Sequence, residues 1–418
     1  MKYIFLIGIT WFLFSSPISA KEGEISYGIF GNVSAVTSSS EKLGYKAEID
    51  SEREVFKDEI DFGQHSKLGA QIEYGLSDNI DFFGQILIRS EEKSSFDELL
   101  NTAFIRLKLN STVSLRVGRT PFDLFLNTEI RDIGFAYTWA KLPQEVYGLI
   151  PSRNVDGIDL IYQKPLSFGF LRSKLSAGSS KYPVGNNNHL ELKDFISFNL
   201  ELSEFNWTIG LRYTETTIAG IVEAAAPLAD WVQTLNGIWI DAEQVALGLR
   251  NELKPNYLSI GGKYDWEKFT IYTEFAKISS NGSAFFDKVN NGYISGIYRI
   301  NDFEHFLSYA FTQSRRYKAN IAQNLTVPIE QLPAIVTSSI PILENQLNNN
   351  FNSFTTNQQT ISLGTRWNFS DNIAFKLQYD ASFVDANGAT LWKVNRESGD
   401  IDKDMTINTL LLDVSFAY

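Results

Sequence analysis

The chain has 418 residues, of which 44% are apolar and 21% are charged, and its net charge is −12. It contains no Cys, which excludes disulfide scaffolds, iron–sulfur clusters and thiolate zinc sites. The net negative charge is unfavourable for general nucleic-acid binding, and the apolar content excludes a disordered chain. The length suits two or three soluble domains or one large barrel.

The first twenty residues predict a secretory signal peptide that is cleaved after Ala20. Lys2 precedes an apolar run over residues 3–14, and Ile18-Ser19-Ala20 provides small residues before the cleavage point. A helical membrane span needs about 20 apolar residues, so this run is too short for an anchor. We therefore expect residues 21–418 to form a single mature domain.

The mature chain predicts sixteen β-strands. Apolar residues such as Phe375 and Leu377 alternate with polar residues such as Lys376 and Gln378, which is the period-two pattern of a strand with one apolar face. Most runs have about 10 residues, the length of a tilted strand that crosses a bilayer. The strands are expected at 25–34, 66–76, 80–90, 101–109, 112–119, 155–163, 170–178, 192–202, 205–214, 256–265, 267–278, 291–300, 303–313, 358–369, 373–384 and 406–418.

The connections between these strands alternate between longer loops and short turns. Short turns such as 77–79 and 370–372 separate longer connections at 35–65, 91–100, 120–154, 179–191, 215–255, 279–290, 314–357 and 385–405. A membrane barrel has this alternation because its turns lie on one side and its loops on the other. The fold class is therefore all-β, a transmembrane antiparallel up-and-down β-barrel of about sixteen strands. A soluble extracellular β-protein is the alternative, which the many outward-facing aromatics disfavour.

Four segments resemble the third-loop region of Gram-negative outer-membrane porins. They are GRTP at 118–121, DIGFAY at 132–137, EVYG at 145–148 and DGIDLIY at 156–162. The chain also ends on Phe416 and Tyr418, which resemble the C-terminal assembly signal of outer-membrane proteins, although Phe is commoner than Tyr at the last position. The resemblance implies an outer-membrane location, contact with lipid and lipopolysaccharide, recognition by the barrel-assembly machinery, and a homotrimer.

The same resemblance implies that the third long loop, residues 120–154, folds into the barrel and narrows it. This loop contains four acidic residues that would face the passage, namely Asp123, Glu129, Asp132 and Glu145. A plain surface loop remains the alternative interpretation.

Strand parity predicts that basic side chains line the inside of the barrel, because a charge facing lipid costs about 2–4 kcal/mol at the midplane. The basic residues opposite an apolar face are Arg89, Arg106, Lys108, Arg116, Arg172, Lys174, Arg212, Lys263, Arg366 and Lys376. Fewer acids share that face, namely Glu73, Asp81, Asp159, Glu201 and Asp380. We predict a basic wall opposite an acidic third loop, although these residues could instead pair with each other.

These features predict an outer-membrane porin that passes small hydrophilic solutes and ions by passive diffusion. A substrate-specific channel for an anion, a sugar or an oligopeptide is one alternative, and a non-conducting structural or adhesive barrel is another. We expect no enzyme, no cofactor and no metal site. The chain has three His, and the one that begins a strand, His305, would lie near a periplasmic turn. We expect no nucleic-acid partner.

Overall fold

The structure, a computed structural model, describes residues 22–90, 96–184, 188–219, 222–250, 253–280, 288–352, 355–395, 397 and 403–418. The predicted signal peptide, residues 1–20, lies outside the described residues. Within the described ranges, every helix is too short or too polar to cross a membrane.

Sixteen long antiparallel strands form one closed sheet, and all sixteen correspond to predicted strands. They are β1 (Ile25–Ser38), β2 (Lys67–Ser77), β3 (Ile80–Arg89), β4 (Leu100–Lys108), β5 (Val113–Pro121), β6 (Asn154–Leu166), β7 (Gly169–Val184), β8 (Asn188–Glu204), β9 (Trp207–Ala219), β10 (Pro255–Trp266), β11 (Phe269–Ser280), β12 (Lys288–Ile300), β13 (Phe303–Ser314), β14 (Thr356–Asn368), β15 (Ile373–Ala389) and β16 (Met405–Ala417). Each strand pairs with the next along the chain.

The first and last strands close the barrel. Strand β1 pairs with β16 over nine residue pairs and with β2 on its other side. The chain end completes the seam, because Ile29 and Tyr418 exchange two backbone hydrogen bonds of 2.9 and 2.8 Å. Closure gives the backbone groups of both terminal strands a partner, so the sheet has no open edge.

The two faces of the strands differ in polarity. In β15, Phe375, Leu377 and Tyr379 are exposed, whereas Lys376 and Gln378 are buried. Large exposed aromatics form a band at the end of the barrel that has the short turns, and they include Tyr27, Phe168, Phe205, Trp266, Trp367, Phe369 and Tyr418. An apolar exposed face with an aromatic band is the surface that a lipid-embedded barrel presents.

The long connections contain structure that strand periodicity did not predict. Among the described residues, the helices are α1 (Phe96–Leu99), α2 (Gln144–Tyr147), α3 (Val222–Gln233), α4 (Ala242–Arg250) and α5 (Ala334–Phe351). Short 3-10 helices span Thr128–Ile130, Gly134–Ala136 and Ile329–Gln331. Short strands add Leu43–Tyr45, which pairs with Trp392–Val394, and Ile60–Asp61, which pairs with β1.

One predicted connection is wrong. Residues 179–191 were expected to form a loop, but β7 continues to Val184 and β8 begins at Asn188. The first long connection, loop 1, spans residues 39–66, and the third, loop 3, spans residues 122–153. A separate cluster of buried apolar residues, including Val232, Leu249 and Leu343, packs α3, α4 and α5 together within the long connections.

A pair of facing glycines sets how closely β6 and β7 approach. Gly157 lies opposite Gly178, and a Cβ atom added at Gly157 would lie 2.1 Å from the carbonyl oxygen of Ala177. We expect Gly157→Ala to push the two strands apart and destabilise the barrel by about 1–3 kcal/mol. When samples in SDS are heated to a series of temperatures before electrophoresis, the band of the folded barrel should then disappear at a lower temperature. Gly296→Ala is the matched control, because no atom lies within 4 Å of its added Cβ. Equal melting of the two variants would contradict this prediction.

Candidate functional site

Loop 3 packs its aromatic residues against the buried face of the strands. Trp139 is 1% exposed and donates its indole N–H to the hydroxyls of Ser295 and Ser308 at 3.1 and 3.2 Å. Its ring meets those of Tyr293 and Phe306 edge-on. Loop 3 therefore forms an apolar core with the middle of β12 and β13, and the sequence pattern did not predict this contact.

Two predicted wall residues hold the backbone of loop 3. The Lys376 ammonium donates to the carbonyl oxygens of Gly134 and Trp139 at 2.5 and 2.9 Å. The Arg366 guanidinium donates to two further carbonyls of the loop at 2.7 and 2.9 Å. Both cations thus satisfy carbonyl groups that would otherwise be buried without a partner.

Two loop acids pair with three predicted wall cations. Asp123 lies 2.7 Å from the Lys174 ammonium and 3.4 Å from the Arg212 guanidinium, and Glu129 lies 2.7 Å from Arg172. Burial alone would raise the pKa of Asp123, but Lys174 and Arg212 outweigh burial and hold that pKa well below its ordinary value. Here acids of loop 3 pair with cations of the strands, and the role of these cations as a pore-lining basic wall stays a prediction.

The other two loop acids have different partners. Glu145 is 1% exposed and accepts hydrogen bonds from the neutral side chains of Gln358 and Thr360. Asp132 accepts hydrogen bonds from Arg153 at 2.8 Å and from Lys67 at 3.3 Å. Burial would raise the pKa of Asp132, but these cations lower it overall.

Several predicted wall cations pair with acids of the strands or of loop 1. Arg116 binds Asp159 on the neighbouring strand, and Arg106 contacts both Glu73 and Asp81. The remaining pairs are Lys108 with Asp81 at 3.4 Å, Lys263 with Asp265 at 2.7 Å, and Arg89 with Glu48 at 4.0 Å. Arg116, Arg106, Lys108 and Lys263 thus pair with acids of the strands, and their role in lining a pore stays a prediction.

Sequence reasoning missed a carboxylate from loop 1. Glu48 accepts hydrogen bonds from Arg131 at 3.1 Å and from Arg153 at 2.5 Å. The partners are 83 and 105 residues away in the chain, and no motif connects them. In the sequence, the only sign that a further carboxylate was needed was the presence of two basic residues, Arg131 and Arg153, within the acidic loop 3.

Two cavities meet at these arginines. One cavity of about 690 Å³ is lined by residues near the short turns, such as Lys108 and Ser111, and by loop 3. The other, of about 360 Å³, is lined by loops 1 and 3 and by neighbouring strand ends. The residues that line both cavities are Asn101, Arg131, Ser152 and Arg153. The arrangement can bring a small polar molecule against charged groups at this boundary.

The His residue of loop 1 is held in a neutral form. His65 lies 2.7 Å from the hydroxyl of Tyr45, and burial together with the Lys141 and Lys67 ammonium groups lowers the pKa of His65 to about 3. Within the described ranges, no cluster of three or more His, Asp or Glu is placed to hold a metal ion. The lack of enzymatic activity stays a prediction.

Solved structures match the chain along nearly its whole length. No protein-family model and no curated protein matches it in sequence. The anion-selective porin from Comamonas acidovorans is 12% identical, with a TM-score of 0.54 over 95% of this chain and 100% of that chain. OmpF of Salmonella typhi in complex with daunomycin is also 12% identical, with a TM-score of 0.53 over 95% of this chain and 98% of that chain. The trimer form of Vibrio cholerae OmpT is 10% identical, with a TM-score of 0.50 over 95% and 100%. These identities show the fold alone, a closed sixteen-stranded barrel of the porin type.

The pairing of Asp123 predicts a stability effect. Asp123→Asn removes the negative charge beside Lys174 and Arg212, whose side chains are 2% and 5% exposed. Breaking a buried ion pair by removing one partner costs about 3–5 kcal/mol. We expect the folded band on SDS gels to be lost at a temperature several degrees lower. Asp156→Asn is the control, because Asp156 is 54% exposed and its pair with Arg119 should contribute little. An unchanged transition for Asp123→Asn would show that the pair is not needed.

Proposed function

We propose that this protein is an outer-membrane channel through which small hydrophilic solutes and ions diffuse passively. The observation that supports this most is the pair of charged cavities on the buried face of a closed barrel whose exposed face is apolar. In this proposal, loop 3 lies within the barrel and narrows it at Arg131, Ser152 and Arg153.

The contacts of loop 3 support its place inside the barrel. The loop touches β2 through Lys67, β7 through Lys174, β12 through Ser295 and β15 through Lys376. These strands are spread around the cylinder, and one short segment can reach all of them only from the enclosed side. A surface loop would contact one arc of the rim.

The surface supports a lipid-embedded location. The exposed apolar face and the aromatic band suit a bilayer, and the matched structures include outer-membrane porins. We propose an outer-membrane protein that contacts lipid and lipopolysaccharide, is folded by the barrel-assembly machinery through its terminal Phe416 and Tyr418, and forms a homotrimer. The trimer form of OmpT supports the last element of this proposal by likeness of fold.

A channel that prefers anions is the second candidate, and the charges of the cavities favour it over a sugar or oligopeptide channel. The larger cavity is lined by the cations Arg106, Lys108, Arg116, Arg131, Arg153 and Arg172 and by fewer acids, namely Glu24, Glu73, Glu129 and Asp132. An excess of fixed positive charge raises the local concentration of anions.

Planar-bilayer recording tests the proposed function. The purified full-length protein should add stable conductance steps in potassium chloride, because in this proposal the two charged cavities form a water-filled path through the barrel. In a salt gradient, the reversal potential should indicate a preference for chloride over potassium. The control is protein unfolded by heating in SDS and added at the same concentration. A folded protein without steady conductance would contradict both channel candidates and favour a structural barrel.

The smaller cavity predicts a pH dependence of ion preference. Burial first, and then the neighbouring Glu48 carboxylate, raise the pKa of Asp50 to about 6, although Arg89 and Arg153 oppose them. Asp50 therefore gains a proton as the solution goes from about pH 7.5 to about pH 5, which removes a negative charge from the cavity. The ratio of anion to cation permeability, measured from reversal potentials, should rise over this interval.

The variant Asp50→Asn should have the higher ratio already at about pH 7.5 and should lose most of the dependence. His65 does not contribute in this interval, because its pKa is about 3. A variant that keeps the full pH dependence would exclude Asp50 as its source.

A further inference from the structure

The boundary between the two cavities is formed by a pair of buried arginines. Arg131 and Arg153 line both cavities, and their side chains are 7% and 9% exposed. Arg131 is the first residue after the 3-10 helix Thr128–Ile130, and Arg153 immediately precedes β6. A solute that moves from one cavity to the other therefore passes these two guanidinium groups.

Both arginines are held in place by groups other than Glu48. Arg131 donates to the carbonyl oxygens of Tyr147 at 2.7 Å and Ser152 at 3.4 Å. Arg153 donates to the Asp132 carboxylate at 2.8 Å, and its buried Nε–H has no hydrogen-bond partner among the described residues. The cleft between the two guanidinium groups is thus preorganised and retains a spare donor.

Glu48 occupies this cleft from a different part of the chain. One of its carboxylate oxygens accepts hydrogen bonds from both arginines, and the other lies 4.0 Å from the Arg89 guanidinium. The segment that contains Glu48 rests on loop 3 through the backbone bond from Ile49 to the Gly148 carbonyl, at 2.9 Å. The carboxylate of Glu48 is therefore a ligand supplied by loop 1 to a site built by loop 3.

The charges around the cleft do not balance. Four cations meet there, namely Lys67, Arg89, Arg131 and Arg153, and three carboxylates oppose them, Glu48 and Asp132 through ion pairs and Asp50 through its charge. Guanidinium groups bind carboxylates through paired, charge-assisted hydrogen bonds. When Glu48 leaves, the cleft has the charge and the donors to receive another carboxylate.

We propose that Arg131 and Arg153 form a binding site for the carboxylate of a small organic anion, and that Glu48 occupies this site in the absence of solute. The anion binds by displacing Glu48, and it then passes between the cavities. This inference rests on the proposed function, because the anion reaches the cleft through the water-filled barrel. Glu48 thus competes with the anion for the two arginines and lowers the affinity of the channel for its solute.

Glutarate is a suitable probe, because it presents the same carboxylate on a short chain. In bilayer recordings of the full-length protein, the glutarate concentration that halves the potassium chloride current should fall about tenfold in Glu48→Gln, equivalent to about 1.4 kcal/mol of removed competition. Glu52→Gln is the matched control, because Glu52 lines the same cavity on the same loop but is exposed. It should behave like the unaltered protein.

A second variant tests the arginine cleft itself. Arg153→Lys keeps the positive charge but loses the planar fork of donors, so glutarate block should weaken severalfold while the folded band on SDS gels is retained. Equal block by glutarate in the unaltered protein, Glu48→Gln and Arg153→Lys would overturn the inference and leave the channel proposal intact.

Titration calorimetry in detergent separates the two proposals. If the protein does not conduct, the channel proposal fails, but tighter glutarate binding by Glu48→Gln than by the unaltered protein still supports the cleft. Identical binding by both proteins, or no binding by either, overturns the inference.

Discussion

The contact between loop 3 and the buried face of the strands is the interaction on which the rest of the structure depends. Side chains such as Lys174, at 2% exposure, and Lys376, at 3%, are stable in the barrel only when charges or carbonyl groups meet them. Loop 3 supplies these partners through Asp123 and through its own backbone. The strands in turn satisfy the polar groups of the loop, so neither part is stable in this arrangement without the other.

The asymmetry of this contact decides where open space remains. Aromatic residues of loop 3, such as Trp139 and Phe125, pack against apolar side chains of β10–β13 and fill the space beside these four strands. The opposite side, around β2–β7, meets the loop mainly through ion pairs and keeps the two cavities. Because the loop is fixed on one side by packing, Arg131 and Arg153 are presented to the open side, where Glu48 meets them.

The strands could be predicted from the sequence, whereas the site could be predicted only in part. Period-two alternation, as in Phe375 and Lys376, specifies which face a residue occupies, because a closed barrel offers just two faces. Strand parity does not specify how deep a side chain lies along the barrel axis or which residue it contacts. It therefore could not predict that Glu48 pairs with Arg153. The helices escaped prediction because α3 and α5 lie in long connections and contain Pro227 and Pro341, residues that normally break a helix.

The proposed position of loop 3 inside the barrel is tested most directly by thiol labelling, because the chain contains no Cys. Pro151 lines the smaller cavity, whereas Ser338 is exposed on α5. Pro151→Cys should react with a small methanethiosulfonate reagent but not with a large polyethylene-glycol maleimide, and Ser338→Cys should react with both. Equal reaction of Pro151→Cys and Ser338→Cys with the large reagent would place the loop outside the barrel and contradict the account.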